Sequence, residues 1–294
     1  MKKVLALVLA VLMLATAAVA FASCNGNTQY VAVDATDLLK EDFGIAIKKG
    51  SDELKAAVDN VIDTWVADGT MTKYVDYYTA LAQYAEEGGA APDAGELKTS
   101  WDFGTATEVI TVYTESGFAP FEFLYEGKIV GVDMAIMSQV AVNMGKKIDI
   151  QDIMFDTIPL AVKNDTGLAV GAAGMTITED RMQEVDFSSI YYSSTLVVVS
   201  ASDKSYDSVA DLAGLKVGVQ EGTSGDIIMT DASSDEGYVY ENEDGEEVTV
   251  TVSSSTEVKR YKQYALALAD LKAGRIDAIL MDKLPAQTML NTAQ

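Results

Sequence analysis

Residues 109–153 read "VITVYTESGFAPFEFLYEGKIVGVDMAIMSQVAVNMGKKIDIQDI" and alternate between strand-like and helix-like patterns. The first six residues form an apolar, β-branched run, which predicts a buried strand. After a loop and a hairpin, Ile136, Val140 and Met144 follow helical spacing up to Gly145, and another strand pattern comes next. Strand, helix and strand in this order indicate a parallel α/β architecture.

The same alternation continues towards the C-terminus. Strands are predicted over residues 168–174, 194–201 and 275–282, and helices over residues 177–185, 255–274 and 284–293, with a short helix and a strand inside 208–222. The helix over 255–274 is expected to carry Tyr261, Ala265, Leu268 and Leu271 on one face. Because ligands of such folds bind at the carboxyl ends of the strands, the loops that follow these strands are the candidate site.

Two further helices precede this region. Ser51 can cap the first, with Asp52 and Glu53 in the turn where the helix dipole favours acids. A second helix is predicted over residues 72–85. Residues 86–106 show no periodicity and predict a linker.

The composition excludes several function classes. The chain has 294 residues, enough for one large or two ordinary domains, and 49% of them are hydrophobic. It contains no histidine, which excludes Ser-His-Asp and Cys-His triads and histidine-ligated zinc. The formal net charge of −24 argues against nucleic acid or anionic lipid as a partner and is typical of a solvated surface.

The N-terminus has the layout of an export signal, with two lysines, an apolar run and then small residues. The chain's one cysteine, Cys24, follows a stretch that resembles a lipobox, with Phe21 where leucine is usual. We therefore predict removal of residues 1–23 and lipidation of Cys24. One alternative is cleavage after Ala20 or Ala22, which gives an ordinary secreted protein; another is retention of the apolar run as a membrane anchor.

The candidate loops carry residue types that complement a zwitterion. They contribute Glu115, Phe118, Phe155, Gly174, Thr176, Arg181, Gln220, Thr223, Ser224 and Asp282. Arg181 can hold a carboxylate, Asp282 can hold an ammonium group, and the phenylalanines can form apolar walls. The Thr176 hydroxyl and the backbone amides near Thr223 and Ser224, at a turn into a helix, add hydrogen-bond donors. This set fits an α-amino acid.

Each of these residues also has an ordinary structural interpretation. Arg181 can form a surface ion pair, Asp282 and Thr223 can cap helices, and Phe118 can belong to the core. The loops contain no phosphate loop, metal cluster or nucleophile–base pair. We therefore expect no cofactor, no bound metal and no catalysis.

The stretches "TESGFAPFEFLYEGKIVGVDM", "AAGMTITEDRMQEVDFSSIYYSS", "SVADLAGLKVGVQEGTS" and "LKAGRIDAILMDK" resemble motifs of the family 3 extracellular solute-binding proteins, in that family's order. These are the polar amino acid receptors of ABC importers. The resemblance implies a two-lobed α/β fold of the type II periplasmic binding protein class, with two hinge strands and the ligand in the cleft. It implies that Arg181, Thr176 and the Thr223 and Ser224 amides bind the α-carboxylate of the amino acid. It implies that Asp282 and the Gly174 carbonyl bind the α-ammonium group. The side chain of the ligand would then lie near Phe118, Phe155, Glu115 and Gln220.

The order of the segments differs from that family. Its hinge strand and closing helices normally follow the helix after Asp282, but here "FGIAI" and "SDELKAAVDNVIDTWVADGTMTKYVDYY" come near the beginning. The sequence therefore resembles a circular permutation, in which residues 86–106 join the old end to the old beginning. The larger lobe is then expected from residues 43–85 and 107–197, and the smaller lobe from residues 27–42 and 198–294. The alternative is a fragment of a tandem array.

From the resemblance we expect an exported, lipid-anchored receptor at the outer face of the cytoplasmic membrane. It would be a monomer that delivers an amino acid to an ABC permease and has no nucleic acid partner. Glu115 favours a ligand with a cationic or amide side chain. The alternatives are a sensory ligand-binding module and a cyclohexadienyl dehydratase-like lyase, in which Glu115 would be the general acid.

Overall fold

The computed structural model describes residues 28–38, 40–242 and 244–291, so the predicted signal peptide and Cys24 lie outside the described residues. The strands are β1 Tyr30–Asp34, β2 Glu41–Phe43, β3 Ala46–Ile47, β4 Val109–Thr114, β5 Gly117–Phe118, β6 Glu122–Tyr125, β7 Lys128–Val130, β8 Lys147–Asp152, β9 Leu168–Gly171, β10 Asp186–Phe187, β11 Tyr192–Ser194, β12 Leu196–Ala201, β13 Lys216–Gln220, β14 Tyr238–Glu241, β15 Glu247–Val250, β16 Glu257–Tyr261 and β17 Ala278–Asp282. The α-helices are α1 Asp52–Ala67, α2 Thr70–Glu87, α3 Val132–Asn143, α4 Ile158–Asn164, α5 Glu179–Glu184, α6 Ser224–Ala232, α7 Tyr264–Lys272 and α8 Lys283–Asn291.

Most of these strands belong to two five-stranded sheets. Sheet I has the order β10-β3-β9-β4-β8, and sheet II has the order β1-β12-β17-β13-β16. In sheet I, β4 pairs in parallel with β8 and β9; in sheet II, β13 pairs in parallel with β16 and β17. The strands β1, β3, β10 and β12 pair antiparallel with their neighbours. The predicted α/β architecture is confirmed. The four antiparallel strands directly precede or follow β2 and β11 along the chain, where it crosses between the sheets.

A two-stranded antiparallel ribbon of β2 and β11 connects the two sheets. Along the chain, β2 lies between β1 of sheet II and β3 of sheet I, and β11 lies between β10 of sheet I and β12 of sheet II. The ribbon pairs Phe43 with Tyr192 and Glu41 with Ser194. The chain thus crosses twice between the sheets, which is the arrangement of two hinge strands that the resemblance implies.

The segment before residue 88 completes both halves of the fold. Strand β1 pairs with β12 along its whole length, and β3 inserts between β10 and β9. Helices α1 and α2 bury Leu54, Ile62 and Tyr78 in the same hydrophobic core as α3. Each large apolar side chain buried in this way stabilises the fold by roughly 1.5–3 kcal/mol. The N-terminal helices are therefore an integral part of the core.

The single helix predicted over residues 255–274 is wrong in its first nine residues. Glu257–Tyr261 is strand β16, and α7 begins only at Tyr264. Backbone pairing of β16 with β13 across its full length outweighs the local helical spacing. The buried face of α7 consequently contains Tyr264 and Ala267, whereas Ala265 is exposed.

Other local predictions are confirmed or refined. Gly145 follows α3 with a left-handed φ of 66°. Residues 88–108 form no helix or strand, as predicted for the linker, although Tyr74 holds it by donating from its hydroxyl to the Lys98 carbonyl at 2.9 Å. Ser51 occupies the N-cap of α1, but its side chain makes no capping hydrogen bond there.

Candidate functional site

Loops from both sheets surround a cavity with about 300 Å³ of empty space. It is lined by Glu115, Phe118, Phe155, Ala173, Gly174, Thr176, Arg181, Gln220, Thr223, Ser224 and Asp282. The structure thus brings together all ten residues predicted from the sequence and adds Ala173. That these residues contact a ligand stays a prediction.

The lining residues lie at the carboxyl ends of strands. Glu115 follows β4 and Gly174 follows β9 in sheet I, whereas Gln220 ends β13 and Asp282 ends β17 in sheet II. Parallel strands present their carboxyl ends at one edge of a sheet. The two edges face each other across the cavity, with the β2–β11 ribbon beside it.

Arg181 spans the cavity from one sheet to the other. Its backbone N–H donates to the Thr178 hydroxyl at 3.2 Å, so Thr178 caps α5. Its guanidinium donates from Nη1 to the Thr176 carbonyl at 2.7 Å and from Nη2 to the Gly222 carbonyl at 2.9 Å. Burial lowers the pKa of Arg181, and the nearby Glu41 and Asp282 carboxylates oppose that shift. Because both of these bonds go to neutral carbonyls, the charge of Arg181 can still pair with a bound anion.

Asp282 provides the opposite charge. Its side chain is 5% exposed, and its Oδ1 has no hydrogen-bond partner among the described residues. Burial raises the pKa of Asp282 well above its ordinary value, and the Glu41 carboxylate raises it further. A buried carboxylate oxygen without a donor is costly unless a cation or a donor reaches it. The ammonium group of a ligand meets that need.

Glu115 is held by two amides. Its Oε2 accepts from Gln220 Nε2 at 3.0 Å, and its Oε1 accepts from Gln263 Nε2 at 2.6 Å. Burial raises the pKa of Glu115, and these two hydrogen bonds oppose the shift. The residue just before α7, Gln263, was not predicted from the sequence, since its position depends on the unexpected strand β16.

The turn into α6 supplies a backbone donor. The Thr223 hydroxyl donates to the Gln220 carbonyl at 2.7 Å and accepts from the Asp226 amide at 3.3 Å, so its ordinary interpretation as a helix cap is confirmed. The Thr223 amide also donates to the Gln220 carbonyl, at 3.3 Å. The Ser224 amide stands at the first position of α6, where a helix leaves its N–H groups without internal acceptors. It is the better placed of the two predicted amides to bind an anion.

Phe118 and Gly174 shape the apolar side of the cavity. The Phe118 ring stacks on Tyr264 with centroids 6.3 Å apart. Gly174 has a left-handed φ of 54°, and a Cβ at this position would lie 2.5 Å from Phe118 Cε1. Its amide donates to Asp133 Oδ2 at 3.1 Å, which fixes the loop after β9 to the start of α3.

Glu41 is a residue of the site that the sequence reasoning missed. Its side chain is 7% exposed, and its Oε2 accepts from Thr176 Oγ1 at 3.0 Å and from Ser224 Oγ at 2.6 Å. Along the chain, Glu41 is 135 positions from Thr176, so no local pattern connects them. The signal in the sequence was the acidic pair Glu41-Asp42 directly before the "FGIAI" strand.

Two α/β halves, a connecting ribbon and a cavity between them define a two-lobed solute-binding protein of the type II periplasmic class. The chain belongs to the bacterial extracellular solute-binding proteins, family 3, whose family model matches residues 110–282. Within the described ranges, no helix has the length and hydropathy needed to cross a membrane.

This chain is similar to several amino-acid-binding proteins and to solved structures. The chain is 28% identical over 174 residues to the arginine-binding extracellular protein ArtP of Bacillus subtilis, covering 59% of this chain and 61% of ArtP. It is 29% identical to ABC transporter arginine-binding protein 1 of Escherichia coli, covering 67% of this chain and 72% of that protein. The holo structure of ArgBP from T. maritima superposes with a TM-score of 0.53 at 30% identity, covering 63% of this chain and 74% of that one. The match to ArtP therefore spans less than two thirds of that relative.

Proposed function

We propose that this protein binds one free α-amino acid in the cavity and delivers it to an ABC importer. The observation that carries the proposal is the presence of Arg181 and Asp282 in one cavity. The first offers a guanidinium bonded to neutral carbonyls, and the second offers a buried carboxylate oxygen that lacks a donor. An α-carboxylate and an α-ammonium group on one carbon would satisfy both. The descriptions of the relatives as arginine-binding support the same ligand class.

The charges around the cavity favour a ligand with a cationic or amide side chain. Three buried acids, Glu41, Glu115 and Asp282, face one buried guanidinium. An additional positive charge on the ligand reduces this excess of acidic groups. At an effective dielectric constant of about 20, opposite unit charges about 4 Å apart attract by about 4 kcal/mol. Glu115, with Gln220 beside it, is the proposed acceptor for the ligand's side chain.

Delivery would depend on closure of the two lobes about the β2–β11 ribbon. A ligand that contacts Arg181 from sheet I and Asp282 from sheet II binds the closed arrangement better than an open one, and so shifts the population towards closure. Periplasmic binding proteins are an established example of such hinge closure. The importer would recognise the closed form, and no bond is made or broken. We further propose that the protein acts as a monomer, exported and held at the membrane by a lipid on Cys24.

We also propose that the chain is circularly permuted relative to its family. The segment 28–87 precedes the region 110–282 that matches the family, yet its strands pair with both sheets and its helices share the core. One lobe would combine residues 43–85 with 107–197, and the other residues 27–42 with 198–294. Permutation is tolerated where the joined ends lie at the surface, because contacts and not chain order hold the core.

A thermal-shift screen of residues 25–294 against the twenty amino acids, ornithine and cystine tests the proposal. A ligand that binds only the folded protein stabilises it by mass action, by about 2.7 kcal/mol at a hundredfold excess over Kd, and so raises the melting temperature. We expect the largest shifts with L-arginine, L-lysine, L-ornithine or L-glutamine. A cooperative melt that no amino acid shifts would contradict the proposal. Turnover of prephenate or arogenate by the same sample would instead support the lyase alternative.

A further inference from the structure

Glu41 stands where the connecting ribbon meets the cavity. It is the first residue of β2 and pairs with Ser194 of β11, so it belongs to neither sheet. Its buried side chain points between the loop after β9 and the start of α6. The charged groups that act on it are Arg181 of α5 and Asp282 of β17.

One carboxylate oxygen of Glu41 joins groups from both halves of the protein. Glu41 Oε2 accepts from Thr176 Oγ1, which follows sheet I, and from Ser224 Oγ, which begins α6 beside sheet II. Hydrogen bonds to a carboxylate oxygen are stronger than bonds between neutral groups. This oxygen therefore ties the loop of one lobe to the helix of the other at the edge of the cavity.

These two bonds also fix what the hydroxyls can offer a ligand. A hydroxyl has one hydrogen, and once it is donated the oxygen can only accept. Both Thr176 and Ser224 line the cavity, and each donates its hydroxyl hydrogen to Glu41. Towards the cavity, then, these hydroxyls present lone pairs, which suit an ammonium group and repel a carboxylate.

We propose that Glu41 is a positioning residue of the ligand site, which ties the two lobes together through Thr176 and Ser224 and turns both hydroxyls into acceptors for the bound amino acid's ammonium group. The inference rests on the proposed amino-acid site. It changes the role predicted from the sequence for Thr176, which was expected to donate to the α-carboxylate. The α-carboxylate is then left to Arg181 and the Ser224 amide.

The test compares Glu41→Leu with Glu41→Gln, using L-arginine as the probe in isothermal titration calorimetry. Leucine removes the acceptor, and we expect Kd to rise about 30-fold or more. The glutamine carbonyl can still accept from both hydroxyls, so Glu41→Gln should retain binding within about fivefold of the wild type. Asp42→Asn is the matched control, because Asp42 is the next residue of the strand and its carboxylate accepts from Ser193 outside the cavity. It should leave Kd unchanged.

A thermodynamic cycle, with Glu41→Leu on one side and Thr176→Val together with Ser224→Ala on the other, separates positioning from general loss of structure. If Glu41 acts through the two hydroxyls, adding Thr176→Val and Ser224→Ala to Glu41→Leu should weaken binding by much less than the product of the separate effects. Wild-type affinity in Glu41→Leu, equal losses in the leucine and glutamine variants, or additive effects in the cycle would each overturn the proposal.

Small-angle scattering of the protein without added amino acid tests the tie between the lobes apart from ligand binding. The radius of gyration of Glu41→Leu should exceed that of wild type, Glu41→Gln and Asp42→Asn. Equal radii in all four proteins would show that Glu41 does not hold the two lobes together. If wild type gives no heat with any amino acid, the proposed function fails. The scattering comparison then decides the role of Glu41 alone.

Discussion

The Arg181 guanidinium lies against the Phe155 ring, with Cζ 5.4 Å from the ring centroid, and reaches across the cavity to the Gly222 carbonyl. A planar, delocalised cation can stack on an aromatic ring while it donates at its edge, and an ammonium cannot reproduce that geometry. Arg181 is therefore held in place before any ligand arrives, which reduces the ordering cost of binding.

We expect Arg181→Lys to weaken amino acid binding by about 2–3 kcal/mol, because lysine keeps the charge and loses the fork of donors. Calorimetric titration measures the change in Kd. Arg275→Lys is the matched control, since Arg275 pairs with Asp270 through a side chain that is 59% exposed. A lysine variant that binds as tightly as wild type would remove Arg181 from the carboxylate site.

Asp282→Asn should change affinity and stability in opposite directions. Loss of the carboxylate removes the partner of the ammonium group, at about 2–5 kcal/mol of binding free energy. The ligand-free variant should melt at a higher temperature, because burial disfavours the ionised form of the Asp282 carboxyl group and a neutral amide avoids that cost. Differential scanning calorimetry with and without ligand shows both effects. Asp34→Asn, which removes an exposed ion pair with Lys283, should change neither the affinity nor the melting temperature. An Asp282→Asn variant that melts at a lower temperature than wild type would contradict this explanation.

Gly174→Ala tests the contact between the loop after β9 and Phe118. Gly127 also has a left-handed φ, of 74°, but a Cβ there meets nothing within 4 Å. Gly127→Ala should therefore lose only the conformational term of about 1–2 kcal/mol. Gly174→Ala adds the clash with Phe118, and should lose more stability and also weaken binding as the ring moves. Equal losses of unfolding free energy in the two variants would show that the contact at Phe118 is unimportant.

Most of the fold and the ten predicted lining residues could be read from local pattern. Strands such as β4 and β17 are short apolar runs, and the residues that follow them lie at the carboxyl edge of a sheet whatever their own identity. The family motifs place Arg181 and Asp282 on two such loops. Their meeting at one cavity required only that the two sheets face each other.

Two features could not be read in this way, because each depends on a partner far along the chain. Strand β16 has helical spacing in its sequence, and only its pairing with β13 makes it a strand. Glu41 belongs to the site only because the ribbon brings β2 beside Thr176 and Ser224. Spacing reports local periodicity and carries no information about such distant contacts.

The stability of the protein should fall as the pH rises from about 4 to about 7, in part because of Asp133. This carboxyl group is fully buried at the start of α3, and it interacts with the buried Glu122. Burial raises the pKa of Asp133 from its ordinary 3.8 to about 7, against the opposing hydrogen bond from the Gly174 amide. The folded protein therefore binds a proton that the unfolded chain has released in this window. That contribution to stability is complete below the ordinary pKa and is lost as the pH passes the raised one.

Urea unfolding across this pH range measures the effect. Asp133→Asn mimics the protonated group, so it should make the pH dependence shallower by at most about 1.4 kcal/mol per pH unit. Asp76→Asn, on the exposed face of α2, should leave the slope as it is in the wild type. An unchanged slope in Asp133→Asn would show that the pKa of Asp133 is not raised in the folded protein.

The proposed permutation predicts that the order of the segments can be reversed. In a chain that runs from residue 88 to 294 and continues with residues 25–87, β1 can still pair with β12, and Lys283 of α8 already lies 2.9 Å from Asp34 at the end of β1. We expect this chain to melt cooperatively within a few degrees of the original and to bind the same amino acid, because the contacts are preserved. A chain of residues 107–291 alone loses β1, β2, β3, α1 and α2 and exposes the core that they cover, so it should not melt cooperatively. Cooperative melting and ligand binding by that shortened chain would show that the N-terminal segment is dispensable, and the permutation proposal would then be wrong.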